Sequence, residues 1–122
     1  MTLNLTSAAL LCAVHFMADF PLQLHTWATR KHCSFEALVA HVCTYTAVLT
    51  FFAGCWDSRP DLCVMWGLGN GVAHLIVDFI TSRLSQHYSN QGRQRARFMV
   101  LGADQLVHHL CLLLSWCWVG LR

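Results

Sequence analysis

Four long apolar segments, separated by short polar stretches, make up most of the chain. A segment of about 18 residues spans roughly 27 Å as a helix, which is just adequate for the hydrocarbon core of a bilayer. The first segment has no basic residue before it and contains His15 and Asp19, which favours a retained helix over a signal peptide. The pattern predicts an all-α integral membrane four-helix bundle, a single transmembrane domain over residues 1–122, with helices at about 3–20, 35–52, 62–80 and 98–119.

Polar residues interrupt these segments in a repeated motif, His-x-x-x-Asp-Phe. It begins at His15 in the first segment and at His74 in the third. Residues four apart share a helix face, so each copy directs an imidazole and a carboxylate towards one point. Ionisable groups within membrane helices are costly and usually functional. With the reversed motif of the fourth segment and one histidine of the second, the predicted site has seven residues: His15, Asp19, His41, His74, Asp78, Asp104 and His108.

Composition agrees with a membrane protein. Hydrophobic residues make up 56% of the 122 residues and charged residues only 11%, too few to cover the surface of a water-soluble domain. The net charge is +2 and the arginines fall in loops rather than along one face, so no nucleic-acid partner is expected. The seven cysteines include no C-x-x-C pair, which argues against a zinc ribbon or a disulfide framework.

The basic residues set the predicted orientation. The second loop contains only Arg59, whereas the first and third contain Arg30, Lys31, Arg83, Arg93, Arg95 and Arg97. By the positive-inside rule, the first and third loops face the cytoplasm and both termini lie outside the inner (plasma) membrane. All seven site residues then lie at nearly the same depth, in the cytoplasmic half.

Internal repetition predicts how the helices are paired. The motif recurs on two helices that run in the same direction, which indicates two helical hairpins related by a pseudo-two-fold axis along the membrane normal. In the third segment, Gly67 and Gly71 continue the face of His74 and Asp78. Small residues on such a face allow close approach of another helix.

Mixed imidazole and carboxylate ligands suit a divalent metal such as Zn²⁺, Mn²⁺ or Fe²⁺. Seven ligands exceed the needs of one tetrahedral ion. They fit either two ions that share a carboxylate or one ion with outer partners such as Tyr45 and Gln105. Gln23 follows the first motif and is a further candidate to orient a ligand or a substrate. Asp104 and His41 are the candidate catalytic bases.

The motifs together resemble an uncharacterised family of small bacterial and phage multi-pass membrane proteins, a domain of unknown function. The residues that carry the resemblance are His15-x-x-x-Asp19-Phe20-x-Leu22-Gln23, Arg30-Lys31, His41 with Tyr45, His74-x-x-x-Asp78 and Asp104-Gln105-x-x-His108. It covers nearly the whole chain. The resemblance implies a multi-pass membrane protein and no particular activity. Family members often carry a lysine shortly after the second aspartate, where this chain has Thr81 and Arg83.

Three functions are compatible with this pattern. A metal-dependent hydrolase would act on a membrane-soluble substrate, such as a phosphorylated lipid, at the cytoplasmic leaflet. A transporter or channel subunit for a divalent cation or proton would use the same ligands as a pathway. A purely structural protein would use them as polar contacts between helices. Membrane lipid is the expected partner, and self-association into a homo-oligomer is left open.

Overall fold

The chain folds into five α-helices, and residues 3–120, which the computed structural model describes, contain no β-strand. The helices are α1 (Leu5–Asp19), α2 (His25–Arg30), α3 (Phe35–Trp56), α4 (Pro60–Asn90) and α5 (Gln94–Val119). The predicted all-α class is therefore confirmed.

Local capping determines where three of the long helices begin or end. The Asn4 side chain accepts a hydrogen bond from the Ser7 backbone N–H at 2.8 Å, and the Ser34 hydroxyl accepts one from Ala37 at 3.2 Å. Such contacts satisfy backbone donors that have no partner within a helix. Gly120 has φ 69°, the left-handed conformation that glycine adopts readily, and ends α5.

The later helices are longer than predicted. α4 continues past the predicted end at residue 80 to Asn90, and α5 begins at Gln94 rather than at residue 98. Hydropathy marks only the part of a helix that a bilayer can cover, and polar helix formers extend it further. In the extension, Gln86 donates to Asn90 at 2.8 Å, and the Arg83 guanidinium lies 3.7 Å from the centre of the Phe79 ring.

The first part of the chain differs from the prediction in two ways. α1 has 15 residues, fewer than predicted, because Asn4 caps it instead of belonging to it. The six-residue helix α2 was not predicted, since so short a segment has no apolar periodicity. It packs against α3, and the residues on either side of it, Gln23 and Lys31, reach the site described below.

The four long helices contact one another in a closed ring, in the order α1, α3, α4, α5 and back to α1. At the contact between α3 and α4, a Cβ added to Gly67 would collide with the Thr50 hydroxyl, and one added to Gly71 would collide with the Thr46 hydroxyl. The predicted close approach at these two glycines is confirmed. Each helix of the ring turns one face to a shared interior.

The distribution of polarity is inverted relative to a water-soluble protein. Four histidines and four aspartates are buried, whereas large apolar side chains such as Phe51 and Trp118 are 74% and 85% exposed. Soluble monomers rarely expose apolar surface on this scale. The helices α3, α4 and α5 are long and apolar enough to cross a membrane, while α1 is shorter. These features are consistent with a membrane protein.

One end of the interior is packed with apolar side chains. Trp66 and Trp116 meet edge to face, with ring centres 5.2 Å apart, and both are almost fully buried. We call this group the apolar half; its members are Leu11, Leu49, Ala53, Cys63, Trp66, Leu112 and Trp116. The polar residues of the predicted site occupy the other end, while the buried Ser7, Asp57 and Asn70 lie towards this one.

Candidate metal centre

The structure brings all seven predicted site residues together. They come from all four helices of the ring, and none is more than 5% exposed. We call the group the buried cluster: His15, Asp19, His41, His74, Asp78, Asp104 and His108. Helical spacing placed each pair on one face, and the closed ring then directs the four faces towards one another.

Four atoms of the buried cluster have the spacing of a tetrahedral metal site. His41 Nε2 lies 2.9 Å from His74 Nε2, and Asp19 Oδ1 lies 3.1 Å and 3.4 Å from these two nitrogens. Asp78 Oδ2 lies 3.5 Å and 3.6 Å from the same nitrogens. Ligand atoms at about 2.0–2.1 Å from a tetrahedral Zn²⁺ are about 3.3–3.4 Å apart. The arrangement therefore has room for one such ion at its centre.

The Asp19 carboxylate is only half satisfied by the protein. Its Oδ2 accepts a hydrogen bond from Gln105 at 2.8 Å, whereas its buried Oδ1 accepts no well-aligned hydrogen bond, although two imidazole nitrogens lie nearby. Leaving a charged oxygen without a partner in the interior is costly. A bound cation would satisfy Oδ1.

Lys31 is the site residue that the sequence analysis did not identify. Its Nζ lies 2.6 Å from Asp78 Oδ2, and its side chain is 20% exposed. Burial opposes the charged form of Lys31, but the Asp78 carboxylate outweighs this effect and raises the pKa of the ammonium group above its usual value. Asp78 is therefore held by a protonated lysine from outside the ring.

His15 occupies a different position from His41 and His74. Its Nδ1 is 3.1 Å from the Tyr45 hydroxyl, and its Nε2 is 3.0 Å from Gln105 Oε1. Gln105 also donates to Asp19, so it joins two members of the buried cluster. Tyr45 and Gln105 thus lie where outer partners were predicted. His15 belongs with these two residues rather than with the tetrahedral group, because its two ring nitrogens contact Tyr45 and Gln105.

Gln23 reaches His41 from the turn before α2. Its side-chain amide nitrogen is 3.0 Å from His41 Nδ1 and 3.3 Å from His41 Nε2, the nitrogen of the tetrahedral group. A contact of this kind fixes the orientation and the tautomer of a metal-binding histidine. Gln23 is thus placed to orient a ligand, one of the two roles considered for it.

The remaining pair, Asp104 and His108, lies beside the tetrahedral group. Thr81 donates to Asp104 Oδ1 at 2.5 Å, and His108 Nδ1 lies 3.5 Å from Asp104 Oδ2. The His108 ring stacks on His74 at 4.1 Å between centres, and neither of its nitrogens makes a hydrogen bond within the described chain. Asp78, Asp104 and His108 form a second set that could hold an ion, with Asp78 shared between the two sets.

His109, which the sequence analysis did not include in the site, also contacts it. Its ring packs against His15 with 4.6 Å between centres, and its Nδ1 is 2.7 Å from the Gln105 carbonyl oxygen. No pattern pointed to it, because it lies next to the motif rather than on the motif's face.

The fold and site define a helical protein with a polar, metal-sized cluster inside a ring of helices and an apolar exterior. The family described as "Protein of unknown function (DUF3307)" matches residues 7–121, and the chain belongs to this family. The predicted membership of a family with a domain of unknown function is thus confirmed. No curated protein and no solved structure matches the chain.

Proposed function

We propose that this protein is a membrane-embedded metal-dependent hydrolase that acts on a phosphorylated, membrane-soluble substrate. The observation that carries the proposal is the tetrahedral group of Asp19, His41, His74 and Asp78, with the unsatisfied Asp19 Oδ1 within it. The divalent ion, Zn²⁺, Mn²⁺ or Fe²⁺, would supply a bound water of lowered pKa and polarise a phosphoryl oxygen.

The membrane arrangement is part of the proposal. The helices α1, α3, α4 and α5 form a four-helix bundle, with the cluster in the cytoplasmic half and both termini outside. All six basic residues of the first and third loops lie at the cluster end of the helices, as the positive-inside rule requires. α1 spans only about 22 Å, less than the hydrocarbon core of a bilayer of about 30 Å. In this arrangement the bilayer thins around α1, or polar residues at the helix ends extend to the interfaces.

A purely structural role explains the cluster less well. An aspartate in the centre of a membrane helix costs about 2.5–3.5 kcal/mol, whereas a polar contact between helices contributes about 0.6 kcal/mol on average. Three aspartates of the cluster come from three different helices. Helix packing is already provided by the apolar half and by the glycine contacts of α4.

An open coordination position distinguishes catalytic zinc sites from structural ones. Of the two carboxylate oxygens in this group, Asp78 Oδ2 lies slightly farther from the histidine nitrogens and is already held by Lys31. We therefore assign Asp19, His41 and His74 as the residues that would hold the ion. Asp78 would then be free to accept a proton from a water molecule.

In the proposed reaction, the water oxygen forms a bond to phosphorus while the bond between phosphorus and the leaving oxygen breaks. Asp78 takes the proton from the water. His108, oriented by Asp104, provides a proton to the leaving oxygen. In this proposal Asp104 is a positioning residue rather than the catalytic base of the sequence analysis, and His41 is a ligand rather than a base.

Transport of a divalent cation or proton is the alternative function. A conducting route needs coordinating oxygens or water along its length. Beyond the buried cluster the interior is closed by the apolar half, in which Leu49 and Trp116 are fully buried. The described polar groups at this end are a short network in which Asn70 and Trp66 each donate to the Ser115 hydroxyl, together with the buried Ser7 and Asp57. The closure of the interior by the apolar half favours the hydrolase over the transporter.

Elemental analysis of the purified protein tests the metal, and reconstitution into liposomes tests the activity. We expect one stoichiometric divalent ion per chain, lost when His74→Ala and Asp78→Ala are combined. Liposomes should release phosphate from a phosphorylated lipid, and chelation should abolish the release. Absence of metal from the wild type would support the structural role. Metal-dependent cation or proton flux without turnover would support the transporter.

Two single substitutions test the assignment of roles. Asp78→Asn and Asp104→Asn should each retain the metal and lower turnover by about 10²–10⁴, the usual contribution of a positioned acid or base. Loss of the metal in Asp78→Asn would instead make Asp78 a fourth ligand and the site a closed one.

A further inference from the structure

A polar cavity lies next to the buried cluster, between α2, α4 and α5. Its volume is about 320 Å³, at the small end of the range for ligand sites. No acidic residue lines it. The polar side chains that line it are Thr29, Lys31, His32, Ser82, Ser85, Gln86 and Arg97.

Three of the donors in this cavity have capacity that the described chain does not use. The Ser82 hydroxyl is buried without a hydrogen-bond partner in the described chain. Arg97 makes one long contact, 3.5 Å to Gln94 Oε1, and pairs with no carboxylate among the described residues. Lys31 directs its ammonium group to Asp78, but an ammonium group has three donors, so others remain.

Such a set of groups favours a phosphate. A guanidinium binds phosphate oxygens through two parallel N–H donors, a lysine adds a compact charge, and a hydroxyl completes the set. Arg97 is the cation of this cavity without a carboxylate partner among the described residues. Lys31, whose charge is paired with Asp78, can still donate a hydrogen bond to a phosphate oxygen. The apolar exterior of the surrounding helices and the basic α4–α5 end place the cavity where a headgroup layer would lie.

The geometry points to this cavity as a binding site for the phosphate group of an anionic ligand, with Arg97 and Ser82 as its principal donors. If the proposed hydrolysis is correct, this inference extends it by assigning where the substrate phosphate enters. Lys31 connects the two sites, because its ammonium group lies 2.6 Å from Asp78 Oδ2 and also lines the cavity. A phosphate bound there would be one side chain away from the buried cluster.

Calorimetric titration of the detergent-solubilised full chain at constant ionic strength tests the site. Inorganic phosphate and short-chain phosphatidic acid serve as the soluble and lipid-borne forms of the same group. We expect saturable binding of at least one of them to the wild type. Arg97→Gln should weaken it at least about tenfold, the effect of losing charge-assisted hydrogen bonds, and Ser82→Ala about threefold.

Arg95→Gln is the matched control, because Arg95 is exposed, belongs to the same turn of α5 and does not line the cavity. It should change the affinity less than about twofold, since exposed charges interact weakly. Equal weakening by Arg95→Gln and Arg97→Gln would overturn the site in favour of diffuse attraction. Absence of saturable binding of either probe to the wild type would overturn it as well.

The two probes also distinguish free phosphate from a lipid headgroup as the source of the bound phosphate group. Equal affinity for both identifies the phosphate group alone as the ligand, whereas selective binding of phosphatidic acid identifies a lipid headgroup. Repeating the titration on chelated protein distinguishes this inference from the proposed hydrolysis. Phosphate binding that survives chelation, in a protein without metal-dependent turnover, would support the cavity and refute the hydrolase.

Discussion

The two ends of the interior are built from opposite chemistry on the same four helices. In the apolar half, the helices contribute side chains such as Leu11, Leu49 and Leu112, which need no partner beyond close packing. One or two helical turns away, the same faces carry His15, His41 and His108, each of which needs hydrogen bonds, charge or a ligand. The same ring of four helices forms both ends.

This difference separates stability from function. An apolar side chain can be buried anywhere in the interior, whereas a buried carboxylate is tolerated only where its charge is balanced. Within the described cluster, Asp78 pairs with Lys31 and Asp104 accepts hydrogen bonds from Thr81 and Gln105, while Asp19 Oδ1 accepts no well-aligned hydrogen bond. We therefore expect substitutions in the apolar half to affect folding and those in the cluster to affect metal binding.

The largest effect should come from Asp19→Asn. It keeps the shape of the side chain and removes one negative charge from the tetrahedral group. Metal affinity should therefore fall by more than about 100-fold, beyond the range for outer partners. Competition with a chromogenic chelator measures the affinity. Asp57→Asn changes a buried aspartate outside the cluster and should leave metal affinity unchanged. Equal losses in both variants would contradict the assigned ligand.

In the apolar half, Trp116→Ala should lower the free energy of unfolding by about 3–5 kcal/mol, the usual cost of truncating a buried tryptophan. Its ring is fully buried and packs against Trp66. Unfolding in a detergent and denaturant series measures the loss. The folded fraction should still bind one ion per chain, and a metal-free folded fraction would show that the two halves are coupled.

The sequence was informative where structure depends on local periodicity. Spacing by four within apolar segments identified three pairs, six of the seven cluster residues, since helical geometry alone places such pairs on one face. His41 was included because it is an ionisable residue within an apolar segment. The glycine contact of α4 could be predicted for the same reason. The orientation in the membrane and the bound metal remain predictions.

The sequence was not informative where a residue acts through tertiary contact. Lys31 was interpreted as a topology signal and as part of the family resemblance, because nothing local shows that it reaches Asp78 on a distant helix. The extension of α4 to Asn90 was missed because hydropathy does not measure helix length. Thr81, which donates to Asp104, lies in a stretch considered only for a missing lysine.

A smaller effect is expected at the contact between α3 and α4. Gly71→Ala adds a methyl group that collides with the Thr46 hydroxyl, and overpacking of this kind costs about 1–3 kcal/mol. Gly69→Ala is the matched control on the same helix, because no atom lies within 4 Å of an added Cβ there. It should be neutral or slightly stabilising, since alanine favours a helix more than glycine. Thermal unfolding compares the two variants, and equal shifts would contradict the close approach.

The smallest effect should come from Gln23, and its direction depends on the state of His41. A histidine that binds a metal through Nε2 carries its proton on Nδ1, so Nδ1 must donate to an acceptor. Gln23 can present its amide oxygen to Nδ1 after rotation of the amide by 180°, since the oxygen and nitrogen have nearly the same shape.

Gln23→Leu should therefore weaken metal binding by about tenfold, at the lower end of the range for outer partners. Gln23→Glu should retain or strengthen it, because a carboxylate is a better acceptor for the Nδ1 proton. If His41 served only as a polar contact that donates from Nε2 to Asp19, Nδ1 would carry a lone pair instead. Gln23→Glu would then repel it and lower the melting temperature more than Gln23→Leu does. Metal affinity and melting temperature, measured on both variants, thus distinguish a ligand from a structural histidine at the same position.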